Sequence, residues 1–74
     1  MKVECYAGYK GEQYPKRFTL GKQVLDVMDV EDQWYSPSSQ YFRILANDGN
    51  IYVLRHDQEK DVWTLDAFRR PAEP

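Results

Sequence analysis

Turn signals recur at short intervals along this chain and leave little room for long helices. Gly21, the pair Asp48-Gly49 and the run Ser36-Pro37-Ser38-Ser39 separate short segments in which apolar and polar residues alternate. Such alternation is typical of β-strands with one buried face. The one helical alternative, residues 22–33, contains three Val and follows a glycine turn, so a strand is favoured there as well. The sequence therefore predicts an all-β domain.

The turn residues also predict how the strands connect. Gly21-Lys22 is typical of a type II′ hairpin turn, and Asp48-Gly49 of a two-residue type I′ turn. The apolar positions change phase between Val27 and Met28, which indicates a β-bulge. We expect a meander of five or six antiparallel strands that curls into a small barrel or half-barrel of SH3-like or OB-like size. The predicted strands cover residues 3–9, 17–20, 23–33, 41–46, 51–56 and 62–68, with a loop at 10–15.

The length of 74 residues limits what such a fold can hold. A chain of this size buries about 63% of its unfolded surface, so apolar burial and conformational entropy nearly cancel. A deep, enclosed active site would leave too little core. We expect one small β domain over residues 1–68 and a flexible C-terminal tail over residues 69–74, which includes Pro71 and Pro74.

Neither the N-terminus nor the interior predicts insertion into a membrane. No apolar run approaches the roughly 18 residues of a transmembrane helix, and the first residues lack the apolar segment of a signal peptide. Cys5 is the only cysteine, so it has no internal disulfide partner. This favours a reducing compartment, and we expect a cytoplasmic protein without membrane contact.

The hairpin around Asp48-Gly49 supplies the candidate binding residues. A two-residue turn would place Ala46 opposite Ile51 and Ile44 opposite Val53, which gives one nearly apolar core face. The opposite face would then carry two Tyr, an Arg, a His and two Leu, although a solvated face is usually richer in Thr, Lys and Glu. We predict a shallow binding surface there, formed by Tyr41, Arg43, Tyr52 and His56.

Groups that could perform catalysis are sparse. Cys5 and His56 are the only residues of their types, and a nucleophilic Cys–His pair would need a third group to orient the imidazole ring. No local motif surrounds either residue, so a structural role is favoured for both. The chain also lacks a Gly-rich phosphate loop and other cofactor motifs. We therefore expect a non-enzymatic protein without a cofactor.

An acidic segment raises the question of a metal site. Residues 25–35 carry four acidic side chains and no basic one. On a strand these four fall on both faces, so a solvated acidic edge is favoured over a cation site, and no bound metal is expected. Asp26 should face Arg17 across the Gly21-Lys22 turn. The four residues are Asp26, Asp29, Glu31 and Asp32.

Two classes of partner are compatible with the aromatic content. An unknown protein partner is favoured, and single-stranded nucleic acid is the alternative, because small β-barrels can stack bases on surface rings. The net charge of −2 disfavours nucleic acid. Trp34-Tyr35 and Trp63 could line a peptide groove, but a core role is favoured. An open sheet edge also allows a homodimer. The nucleic-acid candidates are Tyr6, Tyr9, Tyr14, Tyr41, Tyr52, Lys10, Lys16, Arg17 and Lys22.

Five short stretches form a pattern along the central part of the chain: V-M-D-V-E-D-Q-W at residues 27–34, Y-F-R-I-L at 41–45, D-G at 48–49, Y-V-L-R-H-D at 52–57 and W-T-L at 63–65. This pattern resembles that of a group of short bacterial cytosolic domains of unknown function. Asp29 departs from the Glu that this pattern usually has. The resemblance spans roughly residues 17–68, implies a compact all-β bacterial domain and supplies no catalytic residues.

Overall fold

Six antiparallel strands form a meander in a computed structural model that describes residues 1–7 and 13–69. Each strand pairs with its neighbours in sequence, in the order β1-β2-β3-β4-β5-β6, and the sheet curls into a half-barrel. The predicted all-β meander is confirmed. The strands are β1 (Lys2–Ala7), β2 (Gln13–Leu20), β3 (Gln23–Tyr35), β4 (Ser39–Ala46), β5 (Ile51–Asp57) and β6 (Val62–Arg69).

The longest strand, β3, belongs to both halves of the sheet. Its first residues pair with β2 as far as Asp26, and its remaining residues pair with β4 from Val27 onward. The pairing with β4 shifts register between Val27 and Asp29, and again between Val30 and Asp32. Bulges bend a strand and increase its twist, so β3 turns the sheet over on itself at this point. The first bulge lies where the change of apolar phase predicted one.

The β2–β3 hairpin agrees with its prediction. Gly21 has a φ of +57°, and Lys22 stays outside the left-handed region, which together are the pattern of a type II′ turn. This two-residue turn places Arg17 opposite Asp26. The Arg17 Nε donates a hydrogen bond to Asp26 Oδ1 at 2.7 Å, so the predicted cross-strand ion pair is confirmed.

The β4–β5 hairpin has one more residue in its turn than predicted. The N–H of Ala46 donates to the carbonyl of Asn50 at 3.0 Å, and the N–H of Gly49 donates to the carbonyl of Ala46 at 3.0 Å. Within this turn only Gly49 is left-handed, with a φ of +85°. The turn therefore has three residues and ends in a left-handed glycine, and the predicted two-residue type I′ turn is wrong.

The extra residue in the β4–β5 turn places each side chain of β5 on the face opposite to the predicted one. Ile44 lies opposite Tyr52 and not opposite Val53. Because successive side chains on a strand point to opposite faces, a shift of one residue moves the whole set. Tyr52 and Leu54 are therefore buried in the core, whereas Ile51 and Val53, which were predicted to lie there, are half-exposed on the outside.

The core lies between the two halves of the curled sheet and is rich in aromatic rings. The rings of Phe18 from β2 and Tyr52 from β5 pack edge to face, with their centroids 5.1 Å apart. Tyr14 of β2 meets Phe42 of β4 in the same way at 6.4 Å. These contacts hold the first hairpin against the second. The buried apolar residues are Phe18, Leu25, Phe42, Ile44, Ala46, Tyr52 and Leu54.

Several predicted boundaries need correction, since β3 ends at Tyr35 and β4 begins at Ser39, and two further ones concern a loop and the tail. β2 begins at Gln13, so the loop predicted over residues 10–15 is wrong from that residue onward. Pro15 lies at a bulge opposite Cys5, where the missing N–H of proline is tolerated. β6 continues through Arg69, the first residue of the predicted tail. Residues 70–74 of that tail, and residues 8–9 of the predicted first strand, lie outside the described residues.

Candidate binding surface

The four residues predicted to form one surface lie on two faces of the sheet. Tyr41 and Arg43 lie on the outer face, the side of β3–β6 that points away from the core. Tyr52 and His56 lie on the inner face, opposite Ile44 and Gln40. The prediction that all four share a face is therefore wrong, and its cause is the extra residue in the β4–β5 turn.

Tyr52 is a core residue with its hydroxyl at the surface. Its ring also packs against Phe68, with centroids 5.0 Å apart, and its hydroxyl donates to Asp48 Oδ2 at 2.5 Å. Burial, followed by this hydrogen bond, raises the pKa of Tyr52. Burial acts to raise the pKa of Asp48 too, but hydrogen bonds from Tyr52 and Asn50 outweigh it, so the pKa of Asp48 is lowered. Tyr52 therefore ties the turn to the core.

His56 is also engaged within the fold. Its Nε2 lies 2.8 Å from Asp61 Oδ1, and its ring stacks on Trp63 with centroids 4.5 Å apart. Trp63 in turn stacks on Phe42, so the role predicted for Trp63 in the core agrees with its packing. Only 13% of the His56 side chain is exposed. His56 is therefore poorly placed to contact a partner directly.

The structure does not assemble the Cys5–His56 pair into a nucleophilic site. Burial, and secondly the negative charge of Asp61, raises the pKa of the Cys5 thiol. A catalytic cysteine needs the opposite shift, because the thiolate is the nucleophile. No hydrogen bond joins Cys5 to His56 in the part of the chain that the structure describes. Cys5 is a half-buried residue of β1, and the structural role expected for it and for His56 stays a prediction.

The outer face carries a groove. Of the four predicted binding residues, Arg43 alone is among the residues that line it. Its volume is about 350 Å³, which is within the range of ligand sites. Glu31 and Trp34 of β3 line one side and Arg43 of β4 adjoins them, so the groove runs across all four strands β3–β6. Its remaining lining residues are Ile51, Val53, Ala67, Phe68 and Arg69.

Aromatic and charged groups define the two ends of this groove. The Trp34 ring stacks almost parallel on Tyr41, with an interplanar angle of 5° and centroids 5.4 Å apart, and 39% of Trp34 stays exposed. The core role favoured for Trp34 is therefore wrong. Arg43 Nε lies 3.6 Å from Glu31 Oε1, a long and exposed ion pair. At the other end, Arg69 forms no ion pair with any described residue.

Sequence reasoning missed most of this groove for an identifiable reason. Ile51 and Val53 were assigned to the core by the two-residue turn, and Arg69 was assigned to the tail. The motif N-D-G is compatible with a three-residue turn, in which glycine takes the last, left-handed position. Placing Gly49 there gives the observed register and brings Val53 beside Arg43.

The residues of the nucleic-acid alternative are largely occupied by other contacts. Arg17 is held between Asp26 and Glu4, at 2.7 and 3.7 Å. The Lys16 ammonium lies over the ring of Tyr6, 5.2 Å from its centroid.

A second groove, of about 340 Å³, lies where β2 and β3 diverge. It is lined by Tyr6, Tyr14, Pro15, Val27, Met28, Asp29 and Val30, and an acidic group at such a groove opposes phosphate binding. Tyr9 and Lys10 lie outside the described residues.

The acidic segment of β3 is divided between ion pairs and solvent. Asp26 pairs with Arg17, and Glu31 lies near Arg43. Within residues 1–7 and 13–69, no group of three or more His, Cys, Asp or Glu residues comes together in a way that could hold a metal ion. Over the same residues, no helix is long and apolar enough to cross a membrane.

Comparison with protein-family models, with curated proteins and with solved structures found no match for the chain. The resemblance to short bacterial domains stays a prediction, and the function is argued from the geometry of the outer face.

Proposed function

We propose that the protein is a non-enzymatic binding module that receives a short segment of a partner protein in the outer groove. The observation that carries this proposal is the groove itself, in which Val53 of β5 lies between Arg43 of β4 and Arg69 of β6, and Trp34 of β3 lines the side beyond Arg43. Tryptophan and arginine are the residue types that most often dominate the energy of protein interfaces. Apolar side chains exposed on a sheet face beside charged ones are typical of a contact surface.

The groove favours a segment that combines an apolar side chain with a carboxylate. Val53 and Ala67 form an apolar floor, and the stacked Trp34–Tyr41 pair offers a rigid wall for an apolar or aromatic group. Arg69 has no ion-pair partner among residues 1–7 and 13–69, so an incoming carboxylate would complete its hydrogen bonds. Arg43 is only loosely held by Glu31, and it can turn toward a second acceptor.

The non-enzymatic part of the proposal is supported by the state of the two candidate catalytic groups. The raised pKa of Cys5 keeps its thiol protonated near neutral pH, and His56 is held by Asp61 and Trp63. A cytoplasmic location is likewise proposed, supported by the free Cys5 in a chain with no second cysteine. Membership of the bacterial domain group that the sequence resembles is part of the same proposal.

Selection from a random peptide library displayed on phage tests the proposal, with wild-type protein as bait. We expect enriched peptides to combine an aromatic or aliphatic residue with Asp or Glu. Val53→Asp should weaken binding of these peptides by at least about tenfold, because it places a charge in the apolar floor. The matched control is Val24→Asp, which changes an exposed valine outside the groove.

Three results would count against the proposal. The selection could enrich no peptides, or Val53→Asp and Val24→Asp could weaken peptide binding equally. In an NMR titration, the selected peptides could shift amide signals only outside the groove. An oligothymidine titration at about 50 mM salt tests the nucleic-acid alternative. If the oligonucleotide shifts the amides around Tyr6 and Lys16 while the selected peptides shift none, nucleic acid replaces the protein partner.

A further inference from the structure

The last strand leaves one edge of the sheet open. Among residues 1–7 and 13–69, β6 pairs only with β5, and seven of its eight residues are exposed, with Trp63 as the half-buried exception. Three of the exposed side chains are large and apolar: Val62 at 47%, Leu65 at 39% and Phe68 at 47% exposure. An edge strand of this length and apolar character is a template for pairing with another chain.

The other edge of the sheet has a different character. β1 carries Lys2 and Glu4 among its six residues, and charges on an edge strand discourage pairing with a second chain. Two of the eight residues of β6 are charged, Asp66 and the terminal Arg69, and the strand contains neither Lys nor Pro. β6 therefore has a smaller share of charged residues than β1, and it exposes more large apolar side chains.

A bulge gives β6 a pattern that reads the same in both directions. The pairing with β5 skips Asp66, because Val53 lies opposite Ala67 while Leu54 lies opposite Leu65. From Val62 to Leu65, the side chains point alternately to the outer and the inner face. From Ala67 to Arg69, they point to the outer, the inner and the outer face. The order of faces is therefore the same from either end of the strand. In order, the outer positions are Val62, Thr64, Ala67 and Arg69, and the inner positions are Trp63, Leu65 and Phe68.

We propose that two copies of this chain pair through antiparallel β6 strands about a two-fold axis between Leu65 and Asp66. In this register Trp63 lies opposite Phe68 of the second copy, and Thr64 lies opposite Ala67 of the second copy. Every residue outside the central Leu65–Asp66 step then faces one on the same side of the sheet, which antiparallel pairing requires. A register centred on Leu65 or on Asp66 would instead place inner side chains opposite outer ones, because the bulge changes the alternation there.

The composition of the strand favours a second copy over an unrelated chain. The pairing forms two Trp–Phe cross-strand pairs, one on each side of the axis, and such aromatic pairs stabilise antiparallel sheets. It covers apolar side chains on both copies with the same patch, as an isologous interface does. The second copy would also bring its Val62 beside Arg69 and its Thr64 beside Ala67, which extends the outer groove. The inference does not rest on the proposed peptide-binding function.

Sedimentation velocity between about 10 µM and 1 mM tests the association. We expect a concentration-dependent dimer for wild type and a monomer for Leu65→Lys, because a charge on the edge opposes pairing. Met28→Lys is the control, since it changes an exposed apolar residue of β3 that lies away from this edge. A wild-type chain that stays monomeric over this range, or forms species larger than a dimer, overturns the proposal.

A cysteine cross-link tests the register independently of whether Leu65→Lys folds. In a Cys5→Ser background, the double variant Thr64→Cys/Ala67→Cys should oxidise to a disulfide-linked dimer. Opposed residues have Cα atoms about 5 Å apart, which suits a disulfide. Each single variant should cross-link far less, because two copies of the same position are about 10 Å apart along the strand. Equal cross-linking in single and double variants excludes this register.

Discussion

Two hairpins of this fold, β2–β3 and β4–β5, close with glycine turns that differ by one residue. The β2–β3 turn has two residues and begins with the left-handed Gly21, whereas the β4–β5 turn has three residues and ends with the left-handed Gly49. The first keeps Arg17 facing Asp26, and the second places Tyr52, not Val53, opposite Ile44. Turn length therefore decides which alternate set of side chains becomes core.

The extra residue also connects the two hairpins. Asn47 donates its N–H to the Asp26 carbonyl at 2.9 Å, and its Oδ1 accepts the Asp26 N–H at 3.2 Å. Asp26 is the last residue of β3 that pairs with β2, so the second turn is fixed to the point where the sheet bends. The register of the β4–β5 hairpin therefore depends on the hydrogen bonds that its turn makes to β3 as well as on the apolar pattern of its strands.

The largest expected effect compares the two faces of β5. Tyr52→Ala should destabilise the fold by about 3 kcal/mol or more, because it removes a buried ring from the core. Val53→Ala should destabilise it by less than about 1.5 kcal/mol, since Val53 is half-exposed. Urea unfolding followed by tryptophan fluorescence measures both values. The reverse order of losses would restore the two-residue turn and the other register.

A smaller effect compares the two turns. Asn47→Ala should cost about 1 kcal/mol, because it removes the side-chain acceptor of the Asp26 N–H. Lys22→Ala in the other turn should change stability by less than about 0.5 kcal/mol, because Lys22 is exposed. Urea unfolding of both variants gives the comparison. Equal values would mean that the second turn does not fasten the hairpins together.

The smallest effect is a dependence on pH in the β4–β5 turn. The pKa of Asp48 is lowered in the folded state, so its ionised form favours folding. This contribution is fully present above the unfolded pKa of about 3.9, and it is lost as pH falls through the lower folded value. Asp48→Asn should therefore lose less stability than wild type between pH 4 and pH 2. Urea unfolding curves at several pH values measure the two stabilities. Equal losses of stability in wild type and Asp48→Asn between pH 4 and pH 2 would contradict the prediction.

Much of the fold can be predicted from the turn residues and the apolar pattern of the chain. The Gly21 turn, the Arg17–Asp26 pair and the bulge after Val27 each follow from a local signal, because two-residue turns and apolar phase act over a few neighbouring residues. The sequence also predicts the strand order, since short connections allow only neighbours to pair.

The candidate site is harder to predict because two registers of the β4–β5 hairpin both give a nearly apolar face. Phe42 and Ile44 can be joined either by Ile51 and Val53 or by Tyr52 and Leu54. Hydrophobic patterning does not distinguish these sets. The deciding interactions, Asn47 with Asp26 and Tyr52 with Asp48, are tertiary or span the turn. The binding role of Tyr41 and Arg43 therefore stays a prediction, now centred on the groove beside Trp34.

The strand order has a consequence for how quickly the chain reaches its native state. Every strand pairs with its neighbour in sequence, so each ladder closes a short loop, and hairpins of this kind form within about 1–10 µs. The packing of Phe18 against Tyr52 instead joins residues from the first and second hairpins. Since closing a longer loop costs more entropy, we expect this docking step to be slower than the formation of either hairpin. The bend in β3 is the segment that links the two hairpins during that step.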